Sequence, residues 1–323
     1  MNEQIRKHRA EMQRQAVPVI EQFVQDHPQY SIDADQAGSQ SVTNYVIFGH
    51  HGPERVIFKY FCRDERKQRE VFALRHFADT GIVPKLLEEE GSRLIVESHI
   101  PGSFLPREEY DPTAFLAVDR DKMGRTLGEA VAKLTSTPLS IASAEEFESR
   151  FYNGERLPDY FETILQASRQ IHQQVDCYKD EIFAFSLAQI EGHLPFILAQ
   201  PRLLYHQDAL NIHFVESTFS GFFDLEMCRV GCAAMQIGSL WYVINSYRVW
   251  EPFSEGFARV AGRRLTAQDK SAALAFAHFM LWRSISDYGD WHGEELGQDA
   301  MAEVITQAET YRKTIDTMKQ GEG

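Results

Sequence analysis

Cysteine is scarce. Only Cys62, Cys177, Cys228 and Cys232 occur in 323 residues, too few and too scattered for a disulfide framework in a chain of this size, so reduced thiols are expected. Cys228 and Cys232 have His206 and His213 nearby, but no second close pair completes a zinc set, and buried free thiols are the preferred reading. Long apolar runs are missing too: no stretch approaches the ~20 uninterrupted apolar residues of a membrane helix. The opening MNEQIRKHRAEMQRQ is charged throughout and has no signal-peptide core. These absences point to the cytoplasm and to no membrane partner. Positive charge is in deficit, with 33 Lys+Arg against 47 Asp+Glu and a net charge of −14. The deficit is uneven: residues 1–100 carry 13 against 15, and residues 101–323 carry 20 against 32. A surface of that sign repels nucleic acid and attracts cations. No internal repeat, low-complexity tract or heptad series is present, which excludes a solenoid or coiled coil.

The remaining composition, 43% hydrophobic and 25% charged, is that of an ordinary globular protein. A chain of 37.1 kDa is long for one hydrophobic core, so two lobes are expected. Residues 1–100 read as a small α+β lobe with a helical extension over 1–28, broken at Pro18. YVIFGHHGPERVIFKYF reads as a β-hairpin turning at GHHGPE, and RDERKQREVFALRHFADTG as a helix whose stripe holds Glu70, Leu74 and Phe77. LIVESHI reads as a further strand, closed by Pro101-Gly102. Residues 101–323 read as a larger, mostly helical lobe, with Thr266 and Asp269 as a capping-box-like start for a long helix. Only 203–226 looks strand-like there. The fold class is therefore α+β: a small sheet lobe joined to a helical lobe.

The stretch LLYHQDALNIHF places His206, Asp208 and Asn211 between apolar residues, and GFFDLE follows with Asp224. Polar groups buried unpaired cost about 1–3 kcal/mol each, so these need partners. A loop carboxylate at Asp208 could accept a hydroxyl proton, while Asn211 and Asp224 are hard oxygen donors of the kind Mg2+ takes. On its own, HQDALN is equally a turn built by Asp and Asn.

Taken in order, Lys59 on a strand, Glu70 on the next helix, His206-x-Asp208 with Asn211, then Asp224 after an apolar run resemble the protein-kinase-like bilobal fold. Within it the chain is similar to the aminoglycoside and choline kinase branch of small-molecule phosphotransferases. The landmarks span residues ~37 to ~230. The resemblance implies that Lys59 contacts the nucleotide's α- and β-phosphates and pairs with Glu70. It implies that Asp208 is the catalytic base with His206 bracing its loop, and that Asn211 and Asp224 bind the metal. AGSQSVTNYVIF resembles the phosphate-covering loop, with Ser39 and Ser41 as donors. LIVESHIPG resembles the segment between the lobes, where the backbone near Glu97 to His99 meets the nucleobase. The implied cofactors are ATP, with GTP as the alternative, and Mg2+.

Three departures from the branch stand out. Asp208 and Asn211 are three positions apart rather than the usual five. Asp224 is followed by Leu225-Glu226 rather than Phe-Gly, which offers Glu226 to the metal shell. Gln236 stands where an Asp commonly braces the catalytic loop. The first and third support an alternative, a catalytically degenerate kinase-like module that holds nucleotide or a partner. The expected partner is a cationic, hydroxyl-bearing small molecule. LWYVINSYRVWEPF and LWRSISDYGDWHGEEL mix Trp and Tyr with Asp287, Asp290, Glu294 and Glu295, a composition suited to ammonium groups.

Overall fold

Helix α1 (Glu3–Asp26) opens the chain in the computed structural model, which describes residues 3–33, 44–108, 110–174, 180–292 and 305–317. The helix runs through Pro18 instead of breaking there, which corrects the sequence expectation. Pro18 and Arg14, whose carbonyl loses its donor, are both exposed, so water satisfies that group. The opposite face buries Met12, Ala16, Ile20 and Phe23, and that packing decides the helix.

Those residues pack on an antiparallel sheet of β1 (Tyr30–Ile32), β2 (Asn44–His51), β3 (Glu54–Phe61), β4 (Leu86–Glu90) and β5 (Leu94–Ser98), ordered β1-β2-β3-β5-β4. Helix α2 (Asp64–His76) connects β3 to β4. Side chains alternate across a strand. Tyr45, Ile47, Phe58, Tyr60, Leu94 and Val96 enter the α1 core. The pairings Val46↔Lys59, Phe48↔Ile57, Ile57↔Glu97 and Lys59↔Ile95 put the intervening residues on the other face. One face is structural, and the other carries Lys59. The hairpin and the β5 strand match their sequence reading, whereas β1 and β4 were not anticipated. LLEEE in β4 has no apolar alternation because it is an edge strand guarded by acids.

The remaining elements, in chain order, are α3 (Pro112–Ala117), α4 (Arg120–Thr135), α5 (Ile141–Phe151), α6 (Leu157–Gln174), α7 (Asp180–Ala199), β6 (Leu203–Tyr205), β7 (Ile212–Val215), β8 (Thr218–Phe222), β9 (Arg229–Gly231), α8 (Ala233–Ser239), α9 (Trp241–Ser246), α10 (Trp250–Ala261) and α11 (Ala267–His292). The chain divides into two compact units. One is Met1–Val118 with Asn211–Cys228, which adds the separate β7–β8 hairpin to the N-terminal unit; the other is Asp119–Leu210 with Arg229–Gly323.

Among its described residues the second unit is mostly helical, with the antiparallel pair β6–β9. Thr266 and Asp269 exchange side-chain-to-backbone bonds in both directions at the start of α11, forming the anticipated capping box. Helix α7 is long and apolar enough, at a mean hydropathy of 1.4 over Glu181–Ala199, to cross a membrane by length and composition. It is interrupted by Ser186, Gln189, Glu191 and His193 and packs against α11 and α6. Helices α4 and α10 approach closely because Gly128 and Gly256 face the partner backbone: a Cβ at Gly128 would lie 2.0 Å from the Phe253 carbonyl oxygen.

Two glycines therefore predict opposite outcomes. Gly128→Ala must separate α4 from α10 and should lower stability by about 1–3 kcal/mol or more. Gly192→Ala, in α7 with no atom within 4 Å of the place its methyl would take, should raise it by roughly 0.5–1 kcal/mol. Thermal unfolding of the two variants beside the parent checks both signs.

Candidate active site

Lys59 projects from the middle of β3 into the interior of the first unit, where its side chain is 5% exposed. Its Nζ donates to Glu70 Oε2 on α2 at 2.5 Å and to Asp224 Oδ1 at 2.5 Å. Burial works against the Lys59 charge, but Asp224, Glu70, Glu226 and Glu97 outweigh it and hold the ammonium well above its ordinary value. Glu70 is fully buried. Burial pushes its carboxyl well up, Lys59 opposes that shift, and the neighbouring carboxylates add to it. The Glu70, Leu74 and Phe77 stripe lies entirely in the interior. Glu70 occupies an apolar stripe because it meets a cation there.

Asp224 follows β8 in a left-handed conformation, φ 60° and ψ 56°, a region that Asp tolerates better than most residues. The Phe223 amide donates to the Asn211 carbonyl at 3.0 Å, which sets the two segments side by side. The Asn211 amide donates in turn to Asp224 Oδ2 at 3.4 Å. After Asp224 a 3-10 turn, Leu225–Met227, buries Leu225 and brings Glu226 inward.

Glu70, Asp224 and Glu226 each offer a carboxylate oxygen within 4.8 Å of the others. All three already serve cations or amides, Asp224 through Lys59 and the Asn211 amide. Glu70 holds Lys59, and Glu226 accepts from Asn44 Nδ2 and from Arg66 Nη1, each at 2.8 Å. Glu226 is thus a strut joining β2, α2 and the Asp224 turn, with a carboxylate oxygen still close to those of Asp224 and Glu70. Asn44 and Arg66 were not singled out from sequence; their one signal was position, at the head of β2 and on the α2 face that carries Glu70. Asp224, at 29% the most exposed of the three and beside Asn211, offers with it a hard-oxygen donor set suited to a small divalent cation.

In the second unit, β6 leads through buried His206 and Gln207 to exposed Asp208 on the turn over 207–210. The His206 amide donates to Gln236 Oε1 at 2.8 Å. Gln236, standing where an Asp commonly braces the loop, therefore does bond it, since an amide oxygen accepts an N–H as a carboxylate would. The structure brings Lys59, Glu70, Glu97, His99, Asn211 and Asp224 into one unit and places His206 and Asp208 in the other. Ser39 and Ser41 lie outside the described residues, as do Glu294 and Glu295 and the side chains of Asp287 and Asp290. Trp241, Tyr247 and Trp282, offered as cation-binding aromatics, are interior residues 2%, 4% and 1% exposed; they pack the helical unit instead. Cys228 and Cys232 are buried thiols. Burial raises both, Cys232 to about 11, so they stay protonated at neutral pH.

His99 follows β5, with its ring edge-on to Phe48 at 5.6 Å. Burial, Arg55 and His213 lower its pKa, in that order of importance. The Glu97 side chain lies beneath the same sheet face as Lys59 and is 3% exposed.

The profile of the phosphotransferase enzyme family (APH) matches residues 37–275. Among solved structures, the GDP complex of wild-type aminoglycoside 2'-phosphotransferase-IIIa superposes with a TM-score of 0.65 at 12% identity, covering 91% of this chain and 98% of that one. The macrolide 2'-phosphotransferase MphH from Brachybacterium faecium gives 0.58 at 14% identity, covering 90% and 98%. A choline/ethanolamine kinase family protein from Mesorhizobium loti gives 0.57 at 13%, covering 86% and 89%. A search of curated protein sequences gives no match. At these identities the structural likeness carries the fold, which is the bilobal protein-kinase-like one, while the profile carries the family. The chain belongs to the phosphotransferase enzyme family and is a phosphotransferase with an alcohol group as acceptor.

Proposed function

We propose that this phosphotransferase moves the γ-phosphoryl group of a nucleoside triphosphate, ATP or GTP, to a hydroxyl of a cationic small molecule, with Mg2+ as the metal. The observation that carries the reading is the Lys59 ammonium, buried and held by both Glu70 and Asp224. A buried ammonium costs several kcal/mol of desolvation, and a protein with no anion to receive would do better with an apolar residue there.

Lys59 supplies positive charge to the nucleotide phosphates, and Glu70 fixes its direction. Asn211 and Asp224 hold the metal, which when bound neutralises phosphate oxygens as charge develops on them. Glu226, through Arg66 and Asn44, keeps the Asp224 turn in register with α2 and β2. Asp208 orients the acceptor hydroxyl and takes its proton. The bond from the His206 amide to Gln236 steadies that loop. The short Asp208-to-Asn211 spacing does not keep the Asn211 amide from the Asp224 carboxylate, which favours turnover over a purely nucleotide-holding module. The cationic acceptor rests on the excess of 32 acidic over 20 basic residues in 101–323. The aminoglycoside and choline/ethanolamine enzymes among the similar structures point the same way.

Incubation with Mg2+ and nucleotide across amino alcohols, aminoglycosides, macrolides and sugars, scored by mass gain of one phosphate, tests the reaction. Asp208→Ala should lose about 100-fold or more in kcat while nucleotide affinity stays within about twofold. An equal fall in both would make Asp208 structural and sink its role as base. Glu226→Gln keeps one acceptor for Asn44 but weakens the Arg66 pair. It should raise the Mg2+ concentration for half-maximal rate by about tenfold, and an unchanged requirement would remove Glu226 from metal positioning.

A further inference from the structure

Glu97 is a buried carboxylate on the Lys59 face of the sheet that the proposed reaction does not use. It is 3% exposed, and its Oε2 has no hydrogen-bond partner among the described residues. Lys59 Nζ, the obvious cation for it, instead donates to Glu70 and Asp224. A buried carboxylate oxygen without a donor costs free energy, and the usual explanation is a ligand that brings the donor.

The surroundings fit one kind of ligand. Glu97 sits directly across from Ile57 in the β3–β5 register, and Ile57 sits across from Phe48 in the β2–β3 register. Val46, Phe48 and Ile57 are half-buried, so this face presents an apolar strip beside the carboxylate, with the Arg55 guanidinium over the Phe48 ring at 4.7 Å. Ile57 is two residues from Lys59 along β3, about 7 Å at the rise of a strand. That is the scale of the ribose separating a nucleotide's α-phosphate from its base. With phosphates at Lys59, a planar base would lie on Val46, Phe48 and Ile57 with its polar edge toward Glu97.

Resting on the nucleotide site proposed above, we propose that the Glu97 side chain reads the base of the bound nucleotide and selects guanine over adenine. An ionised carboxylate only accepts hydrogen bonds. Guanine offers N1–H and the 2-amino N–H side by side, a pair of donors that one carboxylate can accept together. Adenine turns the lone pair of N1 toward the same oxygens. Burial, partly offset by Lys59 and reinforced by Asp224, pushes the Glu97 carboxyl up to about 7 in the ligand-free protein, and the two guanine N–H donors favour the ionised form on binding.

Calorimetric titration of the full chain with Mg-GDP and Mg-ADP, for the parent and for Glu97→Gln, tests this. The parent should bind GDP at least about tenfold more tightly than ADP. In Glu97→Gln the gap should shrink below about threefold through weaker GDP binding, because the amide replaces one acceptor with a donor. The melting temperature of ligand-free Glu97→Gln should equal or exceed that of the parent, since an unsatisfied charge has been removed. The proposal is overturned if the parent favours ADP or binds both equally. It is likewise overturned if Glu97→Gln keeps the parent ratio, or if the variant misfolds or melts lower, which would make Glu97 structural. Should neither nucleotide bind the parent at all, the nucleotide site itself fails and Glu97 with it; binding without base preference sinks only the Glu97 assignment.

Discussion

The buried ammonium of Lys59 organises the first unit. Lys59 cannot leave water without anions around it, and the anions it finds come from two distant places in the chain: Glu70 on α2 and Asp224 after β8. Satisfying one Nζ therefore fixes α2 and the 211–228 segment against β3. A second charged contact locks the same arrangement, with Arg66 and Asn44 holding Glu226 two residues beyond Asp224. Four carboxylates, Glu70, Glu97, Asp224 and Glu226, then surround Lys59, with Arg66 as the further cation bonded to Glu226. Such a surplus of negative charge is stable where a cation is expected, and it accounts for part of the raised pKa of both Glu70 and Glu97, burial supplying the rest.

The sheet makes this possible by using its two faces differently. α1 covers the apolar face, burying Phe58, Tyr60 and Val96 against Ile20 and Phe23. The face left over can then carry Lys59 and Glu97 between half-buried apolar residues without weakening the core. The second unit reaches its own packing by another route, backbone-to-backbone closeness of α4 and α10 at glycines, with aromatic residues such as Trp241, Phe253 and Trp282 filling the interior.

Much of this was legible because it is written in local periodicity and residue chemistry. The hairpin around Lys59, the α2 stripe and the capping box of α11 each follow from neighbours within a few positions. Glu70 was conspicuous as an acid on an apolar stripe, and Asp208, Asn211 and Asp224 as polar residues among apolar ones. What was not legible depended on partners far away in the chain. Pro18 reads locally as a helix break, but only packing against the sheet shows that its exposed face tolerates it. Trp241 and Trp282 read as ligand-binding aromatics because composition cannot say which way a ring points. Glu226 reads only as an acid beside Asp224; that Asn44 and Arg66 hold it, 182 and 160 positions away, is visible only in the fold.

Sequence by itself determined the α+β class, the excess of acid over base, and the kinds of side chain available for phosphoryl transfer, because each depends on residue type and short-range spacing alone. Tertiary structure decided that 211–228 joins the N-terminal unit, that Lys59 is shared by two carboxylates, and that Gln236 serves the His206 backbone where an acid was expected. These are questions of which buried charge or amide finds which partner. Desolvation makes such partners compulsory, but only the folded chain chooses them.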